Sequence, residues 1–440
     1  MPDIKERSVF CLSLGCAKNG VDSERIMDAL REAGYEIASD AAGADVCLVN
    51  TCGFIRSAVE ENIETILDLI ELKSNGATRR VAVVGCLVNR YGAEELGRNI
   101  PEVDCWIRSE DYEGLLRAVG APEPEAHAAP GRSLLPGAPS HTAYLKLSEG
   151  CDNMCSFCAI PSIRGKLRSF SIGGLVAEAE GLVSRGATEI CLVGQDLTAY
   201  GRDLGIDGAL IKLLDALEYA LPGEVWLRLL YLQPSGVDVR LLERVASGRQ
   251  TLPYLDMPIQ HASGKILALM NRGGSYKSLL GLFRTAREIR PDFALRTTCM
   301  VGFPGERRED FDALRRFLRE SGFDRVGAFA FSPEDGTPAA VMPEQVSERT
   351  KRSRMDRLMS LQEDISLDRQ RLFLGRELDV LIDSVLIDGT GEGRSFREAP
   401  EVDGIIEVTG AAPSGFRAGE RVRALVTEVS EHDMRATALL

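Results

Sequence analysis

The chain has 440 residues, 44% of them hydrophobic and 27% charged, which is enough for two to four domains with substantial cores. Its formal net charge of −14 disfavours a nucleic-acid substrate, because contacts to phosphates need a basic surface. The sequence has no run of about 18 apolar residues and no secretory signal. We therefore expect a cytoplasmic protein without a membrane partner, whose 11 cysteines stay reduced.

Residues 1–119 alternate strands and helices and are predicted to form a Rossmann-like α/β domain. Asp22 or Ser23 could cap the first helix, which would then run to about Ala33. The apolar runs predict three strands, at 9–14, 46–49 and 81–84.

Each of these strands is followed within three residues by a cysteine: Cys16, Cys52 and Cys86. The carboxyl ends of parallel strands meet along one edge of a sheet, so we expect the three thiols to converge. Three converging thiolates would hold an iron–sulfur cluster with one iron left free. The alternative is three loop cysteines that are unrelated in space.

Residues 120–141 are rich in proline and predict a linker, and residues 142–373 predict a second α/β domain that ends in a charged connecting helix. Six strand–helix units suggest a partial TIM-like (βα)6 barrel, in which chemistry lies at the carboxyl ends of the strands. The predicted strands are 143–148, 189–193, 225–230, 254–257, 294–301 and 326–331.

Cys151, Cys155 and Cys158 follow the first of these strands, separated by three and then two residues. Three thiolates alone complete neither a tetrahedral zinc site nor the usual four-cysteine iron–sulfur site. A 4Fe–4S cluster on three cysteines keeps one iron open to a small ligand, as a reactive cluster requires. A zinc knuckle or a redox dithiol is the alternative interpretation.

Other candidates occupy the same barrel. Gln195 and Asp196 follow the second strand, where polar groups of a ligand would lie. Arg228 and Arg296 interrupt apolar strands and would need an anion if they face inward, whereas outward they would be ordinary surface charges. His261 could line the cavity or be a satisfied supporting residue. The remaining cysteines are predicted to pack in the core: Cys11, Cys47, Cys105, Cys191 and Cys299.

Residues 374–440 predict a small antiparallel β-barrel. This segment has seven arginines, no lysine and 13 acidic residues, a net charge of 7 − 13 = −6. An acidic barrel favours a basic protein partner over tRNA, although such a surface could also serve solubility alone.

The whole chain resembles the radical S-adenosylmethionine (SAM) methylthiotransferases, and within them the RimO branch. The resemblance to the branch lies in the two cysteine segments at 13–24 (SLGCAKNGVDSE) and 50–55 (NTCGFI). Ala17 departs from the proline that is frequent there. Segments shared by the whole family are YLDMPIQHAS at 254–263, VGFPGE at 301–306 and FSPEDGTP at 331–338.

This resemblance implies two 4Fe–4S clusters, with SAM as the second cofactor and a C-terminal TRAM barrel. The cluster on Cys151, Cys155 and Cys158 would reduce SAM, and Phe157 beside it could pack on the adenine. Gln195, Asp196, Arg228 and Arg296 are the other candidate SAM contacts.

The resemblance further implies that the set of Cys16, Cys52 and Cys86 supplies sulfur to an aspartate of the twelfth small-subunit ribosomal protein. An electron donor and a sulfur source would be further partners. A tRNA adenosine methylthiotransferase and a non-catalytic iron–sulfur carrier are the alternatives.

Overall fold

The computed structural model describes residues 8–119, 132, 140–410 and 415–439. Its elements form three successive groups: an α/β sheet, a partial barrel and a small closed β-barrel, as the sequence predicts. Most of the predicted linker at 120–141 lies outside the described residues. None of the helices in the described ranges combines the length and apolar character needed to cross a bilayer.

The first group is a five-stranded parallel sheet in the order β2-β1-β3-β4-β5, flanked by helices. The central strand, β3, is buried along its whole length, as expected for a parallel sheet covered on both faces. The elements are β1 (Ser8–Ser13), α1 (Ala17–Glu32), β2 (Glu36–Ile37), β3 (Val46–Thr51), α2 (Arg56–Ser74), β4 (Arg80–Gly85), α3 (Cys86–Tyr91), α4 (Ala93–Asn99), β5 (Cys105–Ile107) and α5 (Tyr112–Val119).

The three predicted strands of this sheet are confirmed, but the predicted start of the first helix is wrong. Helix α1 begins at Ala17, directly after Cys16, and not at Asp22 or Ser23. Both polar residues are buried inside the helix, where Ser23 donates to Ser13 Oγ at 2.9 Å and Asp22 pairs with Lys146. Residues that suggested a cap therefore serve tertiary contacts instead.

The second group contains six parallel strands in two sheets, β6-β9-β10 and β11-β12-β13. A parallel bridge between Leu227 and Thr251 and the bond from Leu232 N to Asp256 O, 2.8 Å long, join the two sheets into the predicted partial barrel. Helices cover its outer face, and one large apolar cluster fills the space between them.

All six predicted barrel strands are present within two residues of their expected ends. The elements of this group are β6 (Thr142–Lys146), β7 (Ser148–Glu149), α6 (Ile160–Arg164), β8 (Arg168–Ser169), α7 (Ile172–Ser184), β9 (Glu189–Val193), α8 (Ala209–Ala220), β10 (Trp226–Leu229), α9 (Val239–Ser247), β11 (Tyr254–Asp256), α10 (Gly264–Leu269), α11 (Tyr276–Ile289), β12 (Ala294–Val301), α12 (Arg308–Ser321), β13 (Arg325–Ala330) and α13 (Glu348–Arg371).

The third group closes into a five-stranded barrel in the order β14-β15-β16-β18-β17. One pair, β16 with β18, is parallel, which corrects the expectation of a wholly antiparallel barrel. Strand β15 has no alternating pattern in the sequence, and a side chain at its Gly393 would come within 2.3 Å of Leu381 O. The strands are β14 (Glu377–Val385), β15 (Gly391–Arg394), β16 (Ile406–Thr409), β17 (Arg421–Val429) and β18 (Met434–Ala438).

Residues 394–403 of the C-terminal barrel, here called the floor segment, lie against the amino-terminal ends of the partial barrel's strands. Arg394 pairs at 2.6 Å with Glu189, the first residue of β9. Asp403 accepts a hydrogen bond from the hydroxyl of Tyr254, the first residue of β11, at 2.7 Å. The C-terminal domain therefore closes the end of the partial barrel opposite the cysteine loops.

Candidate iron–sulfur site

Cys16, Cys52 and Cys86 lie at one edge of the first sheet. Their strands β1, β3 and β4 are neighbours, and Asn50 pairs with both Ser13 and Val84, so the three strands end side by side. Cys16 immediately precedes α1, and Cys86 is the first residue of α3. The strand register thus brings the three cysteine loops together.

Two glycines let these loops approach closely. Gly15 has a φ of +97°, and a Cβ there would lie 2.7 Å from Cys52 Cβ and 3.3 Å from its sulfur. A Cβ on Gly53 would lie 2.6 Å from the carbonyl oxygen of Cys86. Real side chains do not tolerate such distances, so each glycine is needed for the contact between two cysteine loops.

We expect Gly53→Ala to force the loops of Cys52 and Cys86 apart, because its methyl group would meet the rigid backbone of Cys86. The sequence predicts a four-iron cluster on each cysteine set, so loss of the first set should lower the iron bound per chain by about half. Iron analysis after anaerobic reconstitution measures this. Gly20→Ala is the control, since its Cβ would have nothing within 4 Å, and it should bind normal iron.

Arg164 connects this cysteine set to the second domain. It follows the loop of Cys151, Cys155 and Cys158, and its Nε donates to Cys86 Sγ at 3.2 Å. Its other nitrogens donate to Asn19 Oδ1, to Asp22 Oδ2 at 3.1 Å and to Glu149 Oε1 at 2.8 Å. This buried guanidinium therefore fixes the two cysteine loops relative to each other.

The thiols of the first set influence one another electrostatically. The pKa of Cys86 is raised to about 11, mainly by burial and also by the neighbouring Cys52 and Cys16, against the opposing effect of Arg164. Burial also raises the pKa of Cys52, to which Cys16 contributes. Burial would raise the pKa of Cys16 too, but Lys18, the backbone N–H of Asn19 and Arg164 together lower it. A positively charged group that accepts all three thiolates would relieve this repulsion.

The second set lies on the loop that follows β7. The backbone N–H of Asn153 donates to Cys151 Sγ at 3.4 Å, and that of Ile160 donates to Cys158 Sγ at 3.5 Å. Arg272 Nη1 is 3.7 Å from Cys155 Sγ. Burial raises the pKa of Cys158 to about 12. N–H groups directed at cysteine sulfurs are a feature that tunes iron–sulfur sites.

Two of the predicted SAM contacts lie beside this loop. Asp196 Oδ2 accepts a hydrogen bond from Asn153 Nδ2 at 2.8 Å, and its charge raises the pKa of Cys151 after the larger effect of burial. Gln195, the preceding residue, is half-buried. Phe157 packs on an apolar cluster that includes Met270 and Phe303, so protein packing already accounts for much of its side chain.

The structure does not bring Arg228 and Arg296 to the cysteine loops, which corrects their prediction as SAM contacts. Arg228 is fully buried and faces inward, but it pairs with Glu189 at 2.7 Å and donates to the carbonyls of residues 395 and 396. Arg296 pairs with Asp256 at 2.9 Å and with Asp403 at 3.3 Å. The anions that these arginines require are supplied by the protein itself.

Contacts within the fold account for the remaining candidates, His261 and the five cysteines outside the two sets. Burial lowers the pKa of His261 to about 3, so the ring is neutral, and Nδ1 accepts from the N–H of Ser263 at 2.9 Å. Cys105 is half-buried, so its prediction as a core residue holds only in part. The other four predicted core cysteines are buried: Cys11, Cys47, Cys191 and Cys299.

Within the described residues, no three His, Cys, Asp or Glu side chains are close enough to hold a single metal ion. Cysteines on a 4Fe–4S cluster bind different irons, so they need not converge on one point. The donor set fits such clusters, since each set offers three thiols on adjoining turns with N–H or guanidinium donors at the sulfurs.

Sequence reasoning missed the polar residues that join the two cysteine sets. Arg164 and Glu149 flank the second cysteine motif, and Asn19 and Asp22 follow Cys16. The signal that the sequence offered for these residues was their closeness to the cysteines along the chain. Their pairing depends on the packing of two domains, which periodicity and spacing do not reveal.

Comparison with known proteins agrees with this architecture. Residues 8–108 match the model of the uncharacterized protein family UPF0004, residues 145–318 that of the radical SAM superfamily, and residues 374–439 that of the TRAM domain. Among solved structures, the radical SAM methyltransferase TsrM from Kitasatospora setae is similar in fold. It has a TM-score of 0.56 and 14% identity, with 77% of each chain covered.

The match to the radical SAM superfamily, together with the relatives described next, identifies a radical SAM enzyme, a family whose cofactors are SAM and 4Fe–4S clusters. A protein of Anaeromyxobacter sp. (strain Fw109-5) is 44% identical over 97% of this chain and 92% of its own length. One of Geobacter sulfurreducens is 42% identical over 99% of both. Both are named ribosomal protein uS12 methylthiotransferase RimO. The chain belongs to this RimO methylthiotransferase family.

Proposed function

We propose that this enzyme adds a methylthio group to the β-carbon of an aspartate in ribosomal protein uS12, the twelfth small-subunit protein. The observation that carries the proposal is the pair of three-cysteine sets joined by Arg164 at the carboxyl end of one barrel. One set alone would suffice for splitting SAM. A second set beside it is what an enzyme needs that also inserts sulfur.

In this proposal Cys151, Cys155 and Cys158 hold one cluster, and Cys16, Cys52 and Cys86 hold the other. When bound, these clusters and SAM would supply an electron, a radical able to break an unactivated C–H bond, and the sulfur and methyl groups to be transferred. An electron donor and a sulfur source would be needed as partners.

The protein itself holds and orients these groups. Asn153 ties the second cysteine loop to Asp196, on the loop after β9, and Arg272 joins Cys155 to the loop after α10. Arg164 keeps the first set close to the second. Both sets lie opposite the floor segment, so they are approached from one open end of the barrel.

The charge of the C-terminal barrel supports uS12 over tRNA as substrate. Arg394, Arg397, Glu398 and Asp403 are buried in the floor segment. When these four buried residues are left out of the count, five arginines and 11 acidic residues remain in 374–440, a net charge of 5 − 11 = −6. Such a surface attracts a lysine- and arginine-rich ribosomal protein and repels a polyanion. A ribosomal substrate also implies that the enzyme works in the cytoplasm.

Mass spectrometry of uS12 tests the proposal. The purified, reconstituted enzyme with SAM and a reductant is expected to give one uS12 peptide the mass of a methylthio group in place of a hydrogen. Fragmentation should locate the change on an aspartate. Unmodified uS12 together with a methylthiolated adenosine in tRNA treated in parallel would instead favour the tRNA alternative.

A further inference from the structure

Lys18 is a buried lysine at the carboxyl-terminal mouth of the barrel. It extends from the first turn of α1, and its Nζ lies 3.5 Å from the centroid of the Tyr231 ring, just beyond β10. The residue is only 6% exposed. Among the described residues its ammonium has no hydrogen-bond acceptor and no carboxylate partner. Burying a charge in this way is costly unless an anion joins it.

Two other cations near this mouth, Lys146 and Arg164, already have carboxylate partners. Lys146 Nζ donates to Glu149 Oε2 at 2.7 Å and also bonds to Asp22. Arg164 pairs with the same two carboxylates. Lys146 and Arg164 are thus matched by Asp22 and Glu149, and Lys18 pairs with neither carboxylate.

The ring beneath Lys18 is held rigidly. Tyr231 has a φ of +65°, a strained conformation for a residue with a side chain. Its backbone N–H donates to Asp256 Oδ2 at 3.0 Å, and its carbonyl accepts from the N–H of Leu197 at 3.1 Å. Gln260, four residues after β11, also has a positive φ, +67°. Strain of this kind persists where the surrounding structure fixes a functional geometry.

We propose that Lys18 binds the side-chain carboxylate of the substrate aspartate, an inference that rests on the proposed function. The carboxylate carbon is bonded directly to the β-carbon that would be modified. Holding this carboxylate at Lys18, two residues after Cys16 and over the Tyr231 ring, keeps the reacting carbon close to the loop of Cys16. Lys18 is therefore a positioning and specificity-determining residue.

The test compares two peptides of uS12 that differ only in having aspartate or asparagine at the modified position. Binding of each peptide to the holoenzyme is measured by fluorescence anisotropy. Reductant is left out so that no turnover occurs. The proteins are the wild type, Lys18→Met, Lys18→Arg and the control Lys277→Met, which removes an exposed lysine of α11. The ratio of the two dissociation constants is independent of the active fraction of each preparation.

The wild type and Lys277→Met are expected to bind the aspartate peptide about tenfold or more tightly than the asparagine peptide, as for a hydrogen bond between charged groups. Lys18→Met should bring this ratio close to one, and Lys18→Arg should recover part of it. A ratio unchanged in Lys18→Met would overturn the proposal. A loss of SAM binding in Lys18→Met, with the peptide ratio unchanged, would also overturn the proposal. It would assign Lys18 to the carboxylate of SAM.

Product formation by the wild type separates this result from the proposed function. If the wild type methylthiolates uS12 and Lys18→Met keeps the aspartate preference, only the assignment of Lys18 fails. If the wild type neither binds nor modifies either peptide but modifies tRNA, the proposed function fails, and the assignment of Lys18 fails with it.

Discussion

Replacing Cys16, Cys52 and Cys86 together by alanine is expected to abolish methylthiolation while SAM is still cleaved. The three thiols form one set at the edge of the first sheet, whereas the loop of Cys151 belongs to another domain and keeps its own N–H donors. Iron should fall from about eight to about four atoms per chain. Product is measured on uS12 by mass spectrometry and 5′-deoxyadenosine by chromatography.

Two further variants complete this experiment. Cys105→Ala removes a half-buried cysteine of the same domain that lies outside the set, and it should keep its iron and its product. Alanine at Cys151, Cys155 and Cys158 should abolish both product and 5′-deoxyadenosine. Methylthiolated product at the normal rate from the first triple variant would contradict the roles assigned to the two sets.

Glu189→Gln is expected to destabilise the protein by about 3–5 kcal/mol, the usual effect of removing one partner from a buried ion pair. Glu189 is fully buried and pairs with Arg228 at 2.7 Å and with Arg394 at 2.6 Å. Its neutralisation leaves Arg228 enclosed without a carboxylate. The midpoint of urea unfolding, followed by tryptophan fluorescence, measures the change, since Trp226 lies on the same strand as Arg228.

The matched control is Glu377→Gln, which breaks a pair with Arg423 of the same length, 2.7 Å, on the surface of the C-terminal barrel. Both partners are substantially exposed, so this change should cost no more than about 1 kcal/mol. Equal destabilisation by the two substitutions would mean that the floor segment does not depend on its buried charges.

The arrangement of strands was predictable because parallel strands are short apolar runs separated by helical periodicity. This pattern predicted the six barrel strands and the three strands that precede Cys16, Cys52 and Cys86. Strand β15, Gly391–Arg394, did not, because two of its four residues are glycines that permit close strand contact and provide no alternation. The parallel pairing of β16 with β18 depends on barrel closure, which local sequence does not encode.

Predictions about individual charged residues were less successful. The sequence left open whether Arg228, inside an apolar strand, faces inward or outward; it is buried, with Glu189 as its anion and carbonyls of the C-terminal domain as its other acceptors. Likewise, Asp22 suggested a helix cap and is instead an ion-pair partner of Lys146 and Arg164. Sequence spacing indicated where charges occur, and domain packing determined their partners.

The floor segment has a consequence for how the molecule moves. Since the floor segment supplies two carbonyls to Arg228 and the carboxylate of Asp403 to Arg296, detaching the C-terminal barrel would remove hydrogen-bond acceptors from two largely enclosed guanidinium groups. The C-terminal barrel is therefore expected to stay docked on the partial barrel while a substrate binds. Under the proposed function, the modified segment of uS12 would therefore have to reach a stationary site.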